Sequence, residues 1–217
     1  MIAISAGGRS LRVFPAADAA APLIVLSTFQ DGGMDVWKET KALTDADFSL
    51  AAVSCNDWSG DMTPWPHGEY SGNADGYLEA LEREIIPAAI GVCGLEPGYM
   101  AAAGYSLGGL LSLYAAYRTG IFSRLASASG SLWYPGFVDF AGSHSMIRKP
   151  ERIYLSLGAK EKKTRNAEMR CVEESTRAFC SLCRDRGICT LSEMNPGNHF
   201  TEPAKRMAKG IRWLLEG

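Results

Sequence analysis

The chain has 217 residues, 47% of them hydrophobic, with five Trp, eight Phe and eight Tyr, and a formal charge of −2. That length predicts one domain spanning residues 1–217, and the hydrophobic fraction excludes a disordered or fibrous chain. Acidic and basic residues are interspersed without a basic run, which argues against nucleic acid, and no apolar run reaches the ~20 residues that a bilayer requires, which argues against a membrane.

Residues 2–4 and 11–14 predict an antiparallel pair at one edge of a sheet. Leu23-Ile24-Val25-Leu26, between Pro22 and the turn signal Asp31-Gly32-Gly33, predicts a buried strand, and residues 48–54 predict another. Residues 56–72, with Trp58, Pro64, Trp65, Pro66 and His67, predict a long rim loop after a strand end, the place where α/β folds bind ligands. Asn73 and Asp75 offer caps for a helix that buries Tyr77, Leu78, Leu81, Ile85 and Ile86. An Ala-rich strand over 99–104 is followed by a helix over 107–117, and residues 124–129, 153–157 and 188–194 predict the remaining strands. Residues 166–186 predict a helix with Met169, Val172, Phe179 and Cys183 on one stripe. The last helix begins near Thr201, buries Met207, Ile211 and Leu214, and sets Arg206 and Lys209 on its wetter side. Strands alternating with helices predict a mostly parallel central sheet with helices on both faces.

Six cysteines follow no framework spacing, and Met1-Ile2-Ala3-Ile4-Ser5 lacks the charged start and apolar stretch of a secretory signal. The expectation is a soluble cytoplasmic protein with reduced thiols. Cys180-Ser181-Leu182-Cys183 is a C-x-x-C, but it lies in a helical pattern without a second pair, so core packing is favoured over metal or redox work.

Gly104-Tyr105-Ser106-Leu107-Gly108 fits G-x-S-x-G between an apolar strand and a helix. Exposing a serine hydroxyl at a strand tip requires a sharp, strained turn into the helix, and small flanking residues let strand and helix approach. Ser106 is therefore read as a nucleophile, against the alternative of a helix cap. Its proton needs a base. Of His67, His144 and His199, the last lies between the final strand and final helix, where the chain order Ser…Asp/Glu…His of α/β hydrolases places the base. Glu161, in the loop after residues 153–157, is the candidate to orient the imidazole, although the run Lys160-Glu161-Lys162-Lys163 also reads as a solvated charge cluster. The amide of Leu107 is one expected oxyanion donor; Phe29 is the choice for the second, with Gln30 close behind.

With these residues in place the chain resembles the esterase D-like branch of the α/β hydrolases, the serine esterase family that also holds enterobactin-type siderophore esterases. The resemblance rests on Gly104-Tyr105-Ser106-Leu107-Gly108-Gly109-Leu110, Ser129-Gly130-Ser131-Leu132-Trp133-Tyr134, Ser156-Leu157-Gly158-Ala159-Lys160-Glu161 and Gly197-Asn198-His199-Phe200. It implies an α/β-hydrolase fold and hydrolysis of a small-molecule carboxylic ester through an acyl-enzyme on Ser106, His199 and Glu161, with no metal or organic cofactor. It also implies that Ser129-Gly130-Ser131 flanks the pocket. The chain departs from the family in having Thr28-Phe29-Gln30-Asp31 where a His-Gly pair usually follows the oxyanion-hole strand. Residues 131–150 leave no length for a separate cap domain, so specificity is assigned to the rim: Gln30, Trp58, Trp65, Trp133 and Tyr134. The alternatives are an acyltransferase or thioesterase on the same triad, and a non-catalytic binding protein that kept the fold.

Overall fold

In the computed structural model, residues 1–30 and 32–216 are described; Asp31, part of the turn signal and of the segment Thr28-Phe29-Gln30-Asp31 noted above, lies outside the described residues. Eight strands form one sheet: β1 (Ile2–Ala6), β2 (Arg9–Phe14), β3 (Leu23–Phe29), β4 (Ser49–Cys55), β5 (Met100–Tyr105), β6 (Phe122–Ala128), β7 (Arg152–Gly158) and β8 (Cys189–Asn195). Their order is β1-β2-β4-β3-β5-β6-β7-β8. β1 pairs with β2, and β2 with β4, antiparallel; from β4 to β8 every pairing is parallel. The predicted strands are all present, including the antiparallel edge.

Alternating side chains feed two cores. Leu23, Val25, Ala102, Ile153 and Leu155 face one side. Ile24, Leu26, Ala101, Ala103 and Tyr154 face the other. The second side is covered by α1 (Met34–Lys41) and α8 (Pro203–Leu215), the first by the remaining helices. The alanines of β5 keep the sheet thin where helices press on both faces. α8 approaches so closely that a Cβ on Gly210 would lie 2.7 Å from the Tyr154 ring.

The rim stretch is more regular than predicted. It holds a one-turn helix, α2 (Trp58–Asp61), started by Asp57, whose carboxylate accepts from the Gly60 amide. Buried Asp61 then accepts from Arg9 at 2.7 Å and from Asn73 Nδ2 at 2.9 Å, tying the rim to the sheet edge. Asn73 occupies the cap position of α3 (Ala74–Ala80), but its side chain serves Asp61 instead of the helix end. A π-helical turn over Leu81–Ile85 joins α3 to α4 (Ile86–Cys93). Pro87 explains it: its ring has no N–H to donate and crowds the preceding turn, which widens to accommodate it. α5 (Leu107–Arg118), α6 (Phe137–Ser143) and α7 (Val172–Asp185, preceded by a 3₁₀ turn over Glu168–Cys171) complete the covering. Between β6 and β7 the described chain carries only α6 and short loops. No helix among the described residues is long and apolar enough to cross a membrane.

Candidate active site

The site gathers at the C-terminal ends of the parallel strands. Ser106 joins β5 to α5 with φ 58° and ψ −124°, a conformation that residues bearing a Cβ avoid. The turn is clamped from both sides. Its amide donates to Ala128 O at 3.2 Å, and its carbonyl accepts from the amides of Gly109, Leu110 and Ser131. The glycine at 104 is required sterically, since a Cβ there would stand 2.1 Å from Gly108 O. The first amides of α5 have no acceptor within the helix and sit at its positive end.

Ser106 Oγ lies 3.1 Å from His199 Nε2, and His199 Nδ1 lies 2.8 Å from Glu161 Oε2. An ionised carboxylate only accepts, so Nδ1 carries the hydrogen and Nε2 presents its lone pair to the serine hydroxyl. Ser131 Oγ is a second neighbour of Ser106 Oγ, at 3.4 Å. Glu161 is no solvated member of a lysine run: its side chain is 5% exposed. Its Oε1 accepts from the Gly158 amide at 2.5 Å, from Ser129 Oγ at 2.8 Å and from Arg206 at 3.1 Å. Burial alone pushes this carboxyl up. The bonds from His199, Gly158 and Ser129 together outweigh it and hold the group below the usual carboxylate value. It stays charged at neutral pH.

The other two histidines lie elsewhere. His144 is exposed at the end of α6, with Nδ1 2.9 Å from Phe140 O. His67 Nε2 meets Glu168 Oε1 at 3.1 Å across the rim.

Around Ser106 lies a cleft of about 480 Å³, within the range of small-molecule sites. Trp58, Tyr70, Trp133, Met169 and Phe200 form its apolar walls, Ser129, Gly130 and Ser131 its floor, and Lys160 and Lys163 one lip. Trp133, expected at the rim, is among the lining residues. Trp65 and Tyr134 are not among the lining residues. Trp65 Nε1 donates to Pro135 O, the Tyr134 hydroxyl donates to Trp65 O, and both rings pack into an aromatic cluster behind the wall. Gln30 is also outside the lining; its carbonyl accepts from Ser54 Oγ and Thr28 Oγ1, fixing a turn at φ 54°. Phe29 ends β3, 61% exposed, with its ring and that of Trp58 in an edge-to-face contact. β3 pairs with β5 as far as Ser27 and Gly104, and Phe29 and Ser106 each stand two residues past that last pair. Cys180 and Cys183 are core residues of α7, where burial pushes the Cys183 thiol up to about 12.

Arg206 corrects the sequence reading most sharply. Far from lying on a wet helix face, it is 2% exposed and pairs with Glu161. Its place in the first turn of α8 is the signal that was available, because a cation at the positive end of a helix needs an anion nearby. Tyr105, the residue before Ser106, was also missed; its hydroxyl donates to His199 O at 2.6 Å.

The profile of the family described as "Putative esterase" matches residues 52–200, more than half of the chain and inclusive of every member of this hydrogen-bonded chain from Ser106 to Glu161. The protein belongs to the esterase family. The esterase is 24% identical over 169 residues to the Bacillus subtilis protein described as "Uncharacterized protein YbbA", covering 71% of this chain and 68% of that one. An IroE-like serine hydrolase from Shewanella oneidensis superposes with a TM-score of 0.80 at 16% identity, over 95% of this chain and 75% of the other. The enterobactin esterase of Shigella flexneri, solved in the presence of enterobactin, superposes with a TM-score of 0.74 at 20% identity; 95% of this chain matches 54% of that one. At those identities the likeness carries the fold, which is of the α/β-hydrolase type, while the family carries the activity, ester hydrolysis. A non-catalytic binding module is set aside by that membership.

Proposed function

We propose that this esterase cleaves carboxylic esters through an acyl-enzyme on Ser106, with His199 as general base and Glu161 as the group that orients the imidazole and stabilises its protonated form. The observation that carries the reading is the unbroken relay from Ser106 Oγ to His199 and on to a buried, ionised Glu161 at the floor of the cleft. Nε2 takes the serine proton as Oγ bonds to the ester carbonyl carbon. The oxyanion that forms is met by the Leu107 amide at the head of α5 and by the Phe29 amide at the end of β3; each such donor is worth about 3–4 kcal/mol. The imidazolium then protonates the departing alkoxide. Water repeats the sequence on the acyl-enzyme, releasing the acid and restoring Ser106. None of these steps calls for a metal or an organic cofactor.

The walls formed by Trp58, Tyr70, Trp133 and Phe200 suit an ester with an aromatic or apolar group beside the carbonyl. The siderophore ester handled by the enterobactin esterase belongs in the substrate panel on that ground. Unpaired cysteines throughout the described residues favour the reducing compartment inferred for this chain, the cytoplasm.

Ser106→Ala should lose turnover of a chromogenic aryl ester by about a thousandfold or more with its circular dichroism unchanged, and should fail to take a fluorophosphonate label. Retained turnover in that variant would discard the relay. Products analysed by mass spectrometry with added alcohols or thioesters separate hydrolysis from acyl transfer and thioesterase action.

A further inference from the structure

We propose that Arg206 is a positioning residue for this relay: it locks the Glu161 carboxylate and the His199 loop into one frame and moderates the pull of Glu161 on the imidazole proton. The proposal rests on the reading of Ser106, His199 and Glu161 given above. Arg206 Nη1 lies 3.1 Å from Glu161 Oε1, 3.0 Å from Ser129 Oγ and 3.3 Å from the Tyr105 hydroxyl. Its Nη2 donates to Pro196 O at 2.7 Å. Tyr105 in turn donates to His199 O. One guanidinium therefore touches the carboxylate directly and grips the segment bearing His199 at Pro196 and, through Tyr105, at His199 itself.

The fold makes room for this contact. A Cβ on Gly158, at the end of β7, would stand 2.9 and 3.0 Å from the two terminal nitrogens of Arg206 and 2.8 Å from Gly197 O. The glycine leaves open the channel through which the guanidinium reaches the carboxylate. A buried ion pair is weak support for stability, because removing two charges from water offsets their attraction. Arg206 also stands in the first turn of α8, where the helix dipole disfavours a cation. Both considerations point away from a role in stability alone. Arg206 does not line the cleft, so it acts through Glu161 and the loop and not on the substrate.

The electrostatic sign follows from the charges around the imidazole. These are Glu161 at its Nδ1, Arg206 behind that carboxylate, the Tyr105 phenol beside the ring, and Lys160 and Lys163 on the cleft lip. Arg206 cancels part of the Glu161 charge. Removing it leaves a stronger anion at Nδ1, holds the proton on His199 to higher pH, and delays the appearance of the free base.

The test is steady-state kinetics of the full chain on an aryl ester across pH. Arg206→Met should lower kcat by about 10- to 100-fold with KM within about threefold, because orientation and not substrate contact is lost. The acid limb of its kcat/KM profile should move up by about 0.5–1 pH unit. Arg206→Lys should restore the limb but only part of kcat, since it keeps the charge without the fork. In a Glu161→Gln background, Arg206→Met should cost clearly less than in the parent, with only the grip on Pro196 and Tyr105 left to lose. An unmoved acid limb, or a full additive loss in the Glu161→Gln background, overturns the proposal. Should Arg206→Met fail to fold, the same cycle of Arg206→Lys against Glu161→Gln decides it by the same criterion of additivity. Turnover retained by Ser106→Ala would instead discard the relay on which the proposal stands, a separate and recognisable failure.

Discussion

Ser106 holds its hydroxyl out at φ 58° and ψ −124°, and for a residue with a Cβ such a conformation costs about 1–3 kcal/mol. Glycine there is free of that penalty but loses about 0.5–1 kcal/mol through the greater freedom of the unfolded chain. Ser106→Gly should consequently be more stable than Ser106→Ala by about 1 kcal/mol, a rise of about 2–4 °C in calorimetric Tm for a chain of this size, with neither variant turning over ester. Equal melting temperatures would show that the turn is unstrained. That Ser106, His199 and Glu161 come together was legible because each stands in a local pattern: a glycine-flanked serine after an apolar run, and a polar loop after a strand. Arg206 was not, because the periodicity of α8 through Met207, Ile211 and Leu214 speaks only of the apolar stripe. What buries Arg206 is an acceptor 45 residues away in sequence. Trp65 and Tyr134 failed for the converse reason: an aromatic in a rim segment is equally fit to wall a cleft or to brace the wall from behind.

Among the elements, β5 and α5 cross with no room for an added side chain between them. A methyl group on Gly104 would overlap Gly108 O and C at 2.1 and 2.2 Å, and both are backbone atoms that cannot swing aside. Gly104→Ala must drive strand and helix apart, so a loss of about 3 kcal/mol or more in urea-melt stability is expected, together with loss of activity. Gly91 makes the contrast. It lies in α4, is exposed, and has no neighbouring heavy atom within 4 Å of where a Cβ would stand, so Gly91→Ala should gain about 0.5–1 kcal/mol. If the two substitutions had similar effects, the steric account of the elbow would be wrong. Element type and order were readable from the alternation of apolar runs and amphipathic stretches. The ends were less so where tertiary partners compete for a side chain: Asn73 looks like a cap but serves Asp61, and Pro87 turns one predicted helix into two joined by a π turn.

For the whole molecule, stability against pH follows from where charged groups ended up. Glu161, Glu193, Glu173 and Glu202 all have carboxyls held below the usual value of 4.5. For Glu161 and Glu193 burial acts the other way and is overcome, by His199, Gly158 and Ser129 in one case and by Lys209 and Tyr154 in the other; Lys162 and Lys205 lower the two surface groups. A group depressed in the folded state contributes stability that is complete above its unfolded value and is lost as pH falls through its folded one. Buried thiols act at the opposite end. Desolvation pushes Cys55 and Cys183 up from 9.0 to about 12, so their contribution is complete below pH 9 and is lost as pH rises towards 12. Tm plotted against pH should thus be broad between about 4.5 and 9 and fall on both sides. Glu161→Gln should lower the plateau, by stranding the Arg206 charge, and flatten the acid limb, because one of the protons that drives acid unfolding no longer binds. Calorimetric melts of both proteins from about pH 3 to 7 check this. An acid limb as steep in the variant as in the parent would mean that Glu161 is not held ionised by its partners, and the charge on which the imidazole depends would have to come from elsewhere.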